Sequence, residues 1–191
     1  MTTRTERRRQ QTHDALLDAM RDTITEMGLS AATVAEVAER ADVAIGTFYN
    51  HFDGRDDAIS ELADRLSGEI EGIIESLIDG LGSMTKALDL ITGGFLDRLY
   101  GEPEWGRFMV EVGTTPAWPR QHLSAALSRV VEEGQRRGEF ADGDPYQRGY
   151  LVGSIIRGVI DLHLDPGRPR VSSEMLIPVI RAAAGAPPVD A

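Results

Sequence analysis

Three features of the 191-residue sequence predict an all-α protein of about nine helices. Apolar residues recur at three- and four-residue spacing along most of the chain, Gly and Pro mark the breaks between such segments, and no stretch alternates apolar with polar residues as a half-buried strand would. No internal repeat is present. The composition, 41% apolar and 6% aromatic, describes a globular chain long enough to bury its own core without disulfides or structural metal. With no cysteine there is no thiol nucleophile and no Cys-ligated metal, and the expected compartment is the reducing cytoplasm. The longest apolar run, residues 149–156, is stopped by Arg157, well short of the roughly 18 residues a membrane span needs. The arginine-rich residues 1–10 lead into an amphipathic pattern without an apolar signal core, so neither a membrane partner nor a removed leader is expected.

The elements follow in order. Leu16, Ala19, Met20, Thr23, Ile24 and Met27 keep the helical period and Gly28 offers a stop, giving a first helix over about residues 5–27. Thr33 with Glu36 three residues later reads as a capping box that opens a short second helix carrying Val34, Val37, Ala38 and Ala41. Asp42 tolerates the left-handed conformation and makes a turn before a third short helix over residues 43–51. Longer helical segments follow over about 53–81, 83–100, 105–112, 119–137, 145–164 and 172–184, separated by Gly- and Pro-rich breaks. The expected organisation is therefore a compact unit at 1–52, a larger helical domain at 53–185, and a frayed tail at 186–191.

Charge qualifies what the chain can bind. Thirty-one acidic residues against twenty basic ones give a formal charge of −11, which by itself disfavours a phosphate backbone as partner. The acid is concentrated behind residue 55: residues 1–55 are net −2 and residues 56–191 net −9. Arg4, Arg7, Arg8 and Arg9 face only Glu6 within the first ten residues, so a small positive patch sits at the front of an acidic molecule.

Two short helices joined by a tight turn, over about residues 34–53, are the geometry that offers one helix to a DNA major groove while the other braces it. A small residue at Ala38, a turn at Asp42 and a large core residue at Phe48 fit that arrangement, although any helical protein contains short helix pairs. The residues that follow are more specific. The run Ile45-Gly46-Thr47-Phe48-Tyr49-Asn50-His51-Phe52, continued by Asp53-Gly54-Arg55-Asp56-Asp57-Ala58-Ile59, strongly resembles the DNA-binding signature of the TetR family of bacterial transcriptional regulators. Residues 33–43 resemble the second helix and turn of that family, and residues 132–140 a recurring stretch of its C-terminal domain.

The resemblance implies an N-terminal three-helix helix-turn-helix DNA-binding head joined to a C-terminal helical bundle for ligand binding and dimerisation. It implies that Thr47, Tyr49 and His51 donate to phosphates and that Arg55 contacts the backbone, with Arg8 and Arg9 near it; such contacts position the protein without specifying sequence. Base reading would fall to Ala44, Ile45, Gly46 and Asn50, with Val34 and Ala35. The sequence departs from the family pattern in carrying Asp42 where Gly is usual, Ala44 where a Ser or Thr cap is common, and no Lys or Arg between Ala41 and Gly54.

Phe95, Leu99, Tyr100, Trp105, Phe108, Met109, Val112, Trp118, Leu127 and Ile156 are candidate walls of a cavity for a small apolar effector, or plain core. In families of this kind a small apolar molecule bound in the C-terminal bundle shifts a dimer between two geometries. The helices at 150–164 and 175–184 resemble the family's dimer interface, with Tyr150, Gly153, Arg157, Gly158, Asp161, Leu176, Ile177 and Ile180 as candidates; Gly153 and Gly158 would allow close helix approach. The implied function is a homodimeric, sequence-specific, ligand-released repressor on a palindromic double-stranded operator, without cofactor. Two rivals are a ligand-binding or adaptor module that does not bind DNA, and a helical-bundle enzyme. The second lacks support, because no His has a Glu three residues before it, and no nucleophile elbow or phosphate loop occurs.

Overall fold

The computed structural model describes residues 3–113, 120–163 and 167–189. Among these there are nine α-helices, one 3₁₀ turn at Leu29–Ala31 and no strand: α1 Arg4–Met27, α2 Val34–Arg40, α3 Ile45–Tyr49, α4 Arg55–Gly80, α5 Met84–Gly101, α6 Pro103–Gly113, α7 Arg120–Arg136, α8 Pro145–His163 and α9 Ser173–Ala184. Trp118 and the expected ends at Pro119 and Leu164 lie outside the described residues. The chain forms two compact units, Met1–Arg65 with Arg107–Trp118, and Leu66–Gly106 with Pro119–Ala191.

In the first unit, α1 begins on a reciprocal cap. The Thr3 amide donates to Glu6 Oε2 at 2.6 Å and the Glu6 amide donates to Thr3 Oγ1 at 3.2 Å, satisfying two of the amides a helix start leaves orphaned. The helix ends at Gly28, whose φ of 86° suits a residue without Cβ. Leu16, Leu17, Met20 and Ile24 of α1 are buried, as are Val37 and Ala38 of α2, Phe48, and Ala58, Ile59, Leu62 and Ala63 of α4. This is why the unit extends to Arg65 instead of ending near residue 52. The first turns of α4 supply part of its buried apolar surface, and nothing in their composition marks a break.

In the second unit α7 packs along α8, and α9 packs on both α5 and α8. Ile74, Leu88, Leu99, Leu127, Val130, Val152, Ile156 and Ile180 form its core. The closest crossing is at Gly149, where an added Cβ would lie 2.6 Å from the Ser128 amide nitrogen and 2.8 Å from its Cα. Gly153 lies in looser contact with Ser124 and Leu127, and Gly158 has nothing within 4 Å within the chain. The stretch at 132–140 acts as a clamp. Gly134 makes room for the Phe140 ring, and the Glu139 carboxylate accepts from the Met84 amide at 2.9 Å, the Thr85 amide at 3.1 Å and Ser83 Oγ at 2.7 Å. It thereby caps α5 from outside the helix. Arg137 Nη1 donates to the Leu81 carbonyl at 2.7 Å, closing the end of α4. At the C-terminus, Arg181 pairs with Asp89 at 2.8 Å and donates to the Pro188 carbonyl at 3.1 Å, so Pro188, within the stretch expected to fray, is tied to α9.

Gly149→Ala is expected to destabilise the chain by about 1–3 kcal/mol, because the backbone of α7 must move to admit the methyl group. Urea unfolding followed by circular dichroism checks this, with Gly158→Ala, which meets open space, changing stability far less. Burial would raise the Glu139 pKa, yet the hydrogen bonds from Met84, Ser83 and Thr85 outweigh it and hold it below the usual carboxylate value. Its cap is accordingly complete above about pH 4.5 and is lost as pH falls through the lowered folded value. Glu139→Gln should therefore flatten the acid limb of the stability curve.

Candidate nucleic-acid interface

The short helix pair is set by local chemistry. Thr33 Oγ1 accepts the Glu36 amide at 3.2 Å and starts α2. The return arm of the expected capping box is replaced, since the Thr33 amide donates to the Ala31 carbonyl at 2.7 Å. After α2, Asp42 adopts φ 53°, and the Val43 amide reaches back to the Ala38 carbonyl at 3.0 Å. Ala44 starts α3 without a side-chain cap. The helix is shorter than expected from the sequence because residues 42–44 form the turn, while the Asn50 amide bonds the Thr47 carbonyl at 3.1 Å in a tightened last turn. Phe48 is fully buried, with its ring 5.2 Å from that of Phe52.

Burying Phe48 turns Ile45 and Tyr49 of α3 outward. Ala44, Ile45, Gly46, Tyr49 and Asn50 are exposed, together with Ala35 of α2, whereas Val34, Thr47 and His51 are partly buried. Ile45 is 50% and Tyr49 57% exposed, unusual values for large apolar and aromatic residues. Arg8 and Arg9 are exposed on the first turns of α1. His51 is held below its ordinary pKa by burial first, then by the charges of His13 and Arg9, so at neutral pH it presents a neutral imidazole.

Arg55 is engaged inside the unit. Its Nε donates to the Ala32 carbonyl at 2.8 Å and its Nη2 to the Leu29 carbonyl, so it braces the 3₁₀ turn with two charge-assisted bonds. Arg40 is likewise paired, to Glu26 of α1 at 2.5 Å. Other positioning residues give no signal in the sequence. His13 Nε2 lies 2.6 Å from Glu61 Oε1, its ring stacks on Phe52 at 4.8 Å, and it stands 5.6 Å from His51. Glu111 of α6 accepts the Leu29 amide at 3.0 Å. These partners are 48 and 82 residues apart, beyond the reach of local pattern.

The candidate cavity residues divide between the units. Phe95, Leu99, Tyr100, Trp105, Leu127 and Ile156 belong to the second, and Phe108, Met109 and Val112 to the first. Phe95 meets Trp105 edge-on at 6.1 Å, Arg98 lies over the Trp105 ring at 4.8 Å, and Tyr100 Oη accepts the Val171 amide at 3.1 Å. Trp105 Nε1 is buried and meets no hydrogen-bond acceptor among the described residues. A cleft of about 410 Å³ between α4 and α7 is lined by Glu75, Ile78, Asp79, Arg129 and neighbouring charged residues. None of the described candidate cavity residues lines it.

Of the interface candidates, Leu176 and Ile180 are buried in the core of the single chain, because the inward stripe of α9 packs on α5 and α8. Gly153, Arg157, Gly158 and Ile177 are half-buried, and Tyr150 and Asp161 exposed. The large exposed apolar side chains on these helices are Tyr146, Tyr150, Leu151 and Leu162 of α8, with Met175 and Val179 of α9. Among the described residues no group of three His, Asp or Glu could hold a metal ion, and no helix is long and apolar enough to cross a membrane.

Residues 16–62 match the profile of bacterial regulatory proteins of the tetR family. The chain is 30% identical over 153 residues to the HTH-type transcriptional regulator BetI of Klebsiella pneumoniae (strain 342), covering 75% of this chain and 77% of that protein. Among solved structures, SmeT, the repressor of the Stenotrophomonas maltophilia multidrug efflux pump SmeDEF, superposes with a TM-score of 0.74 at 16% identity, covering 90% of this chain and 89% of its own. RolR in complex with resorcinol gives 0.69 at 18% identity over 96% and 98%.

Arg55→Gln is expected to lower stability by about 1–2 kcal/mol, the value of hydrogen bonds to a charged donor discounted for partial exposure. Tyr49→Ala, at an exposed position, should leave it within about 0.5 kcal/mol. Denaturant unfolding of the two variants beside the parent chain checks the assignment of bracing to one and surface to the other.

Proposed function

Because the chain belongs to the TetR family of bacterial regulatory proteins, we propose that this helix-turn-helix transcriptional regulator is a ligand-released repressor that acts as a homodimer on a palindromic operator. Its relatives are regulators, not enzymes. The observation that carries the reading is the outward display of Ala44, Ile45, Gly46, Tyr49 and Asn50 around a fully buried Phe48. That is the arrangement a recognition helix needs to enter a major groove while the helix before it crosses the backbone.

In this reading Thr47, Tyr49 and His51 donate to phosphate oxygens, and Arg8 and Arg9 add charge beside them. Val34, Ala35, Ala44, Ile45, Gly46 and Asn50 stand nearest the base edges. Arg55 contributes from behind by fixing the 3₁₀ turn on which α2 rests. With few free cations on this face, counterion release is small and the salt dependence of binding is shallow.

Self-association is supported by the exposed apolar side chains of α8 and α9. Tyr146 and Tyr150, and likewise Met175 and Val179, are four apart and share a helix face. A two-fold pair formed on these helices would make the operator's symmetry that of the protein. Effector binding is supported by the indole N–H of Trp105, which is buried beside Phe95 and meets no acceptor among the described residues. An unmet donor of this kind costs about 1–3 kcal/mol, which a small, largely apolar molecule bearing a hydrogen-bond acceptor would recover.

Duplexes selected from a random pool by the full-length chain should share a symmetric motif. Tyr49→Ala should weaken binding to that motif about 10- to 100-fold in an anisotropy titration, with the thermal transition unchanged. If no motif is enriched, the chain is an adaptor that does not bind DNA. Val179→Glu combined with Tyr150→Glu should convert a dimer to a folded monomer in sedimentation velocity, since two charges per chain would then have to be buried at the contact.

A further inference from the structure

We propose that Ile45 is a specificity-determining residue that packs against the 5-methyl group of thymine, so that the operator half-site is read through A·T pairs instead of guanine. This rests on the reading of α3 as the recognition helix and adds which chemical feature of the duplex it recognises.

The commonest specific contact to DNA is a bidentate Arg or Lys on guanine O6 and N7. Residues 41–54 contain neither. The two flanking arginines are tied into the head, Arg40 by Glu26 of α1 and Arg55 by the carbonyls of Ala32 and Leu29. Releasing either would break a charge-assisted bond that the head itself uses. What the face offers is methyl surface and one amide. Ile45 is half exposed, Ala44 beside it is exposed, and Gly46 adds no side chain of its own to that face.

The major groove presents one apolar feature, the thymine methyl, which is the partner an exposed aliphatic group selects. The exposed Asn50 carries the donor and acceptor that match adenine N7 and N6. Both reading groups therefore favour the same base pair. Removing one methyl from a packed contact corresponds to about fourfold in affinity.

The test uses the full-length chain and the duplex it selects. Each thymine of the half-sites is replaced in turn, symmetrically, by deoxyuridine, which lacks only the methyl group. At the position under Ile45 the expected loss is about sixteenfold when both half-sites are changed, about fourfold for each. Ile45→Ala should bind the thymine and uracil duplexes equally while keeping the parent's thermal transition. Equal binding of both duplexes by the parent chain at every position overturns the proposal and leaves DNA binding intact. So does an Ile45→Ala variant that weakens both duplexes by one factor without removing the difference between them, and so does a selected half-site made only of G·C pairs. Failure to enrich any motif overturns both this proposal and the reading beneath it.

Discussion

A helix of five residues cannot sustain itself in water, because nucleation fixes several backbone angles for each hydrogen bond gained. α3 therefore exists only through what anchors it. That anchor is Phe48, fully buried and packed toward Phe52. The left-handed turn at Asp42 and the bond from the Val43 amide to the Ala38 carbonyl deliver the chain to it at a fixed angle. With that side chain anchored, the exposure of Ile45, Tyr49 and Asn50 is the geometric complement of the burial of Phe48. The uncapped start at Ala44 weakens the helix itself and shifts still more of its stability to tertiary contact.

The second unit depends on a different economy, in which polar groups near the end of α7 complete the ends of other helices. Glu139 supplies α5 with acceptors for its first amides, and Arg137 supplies α4 with a donor for its last carbonyls. One short segment thus fixes the junction between two helices of the bundle. Gly134 and Gly149 permit the close approaches on which this rests, the first against the Phe140 ring and the second against the backbone of Ser128. The resemblance seen in the sequence at 132–140 accordingly has a structural explanation independent of any bound molecule.

What was legible in the sequence is what local physics decides. The stop at Gly28, the Thr33 cap, the turn at Asp42, the small residue at Ala38 and the core role of Phe48 all follow from residue type and spacing within a few positions, and the structure contains each of them. What was not legible depends on distant partners. An apolar stripe announces that a helix buries one face without saying against what, so Leu176 and Ile180 read as surface for a second copy although α9 uses them within the chain. Arg55 reads as an outward cation because its partners at Leu29 and Ala32 are more than twenty residues away. The roles of His13, Glu61 and Glu111 were invisible for the same reason.

The reciprocal bonds between Thr3 and Glu6 bear on the four arginines that follow. Charges carried on an unstructured segment would have to be ordered on reaching a target, at about 1–2 kcal/mol per residue of backbone entropy. Here the helix starts at Arg4. The backbone that carries these charges is preorganised in the free protein, so their attraction to a partner is not diminished by that ordering cost.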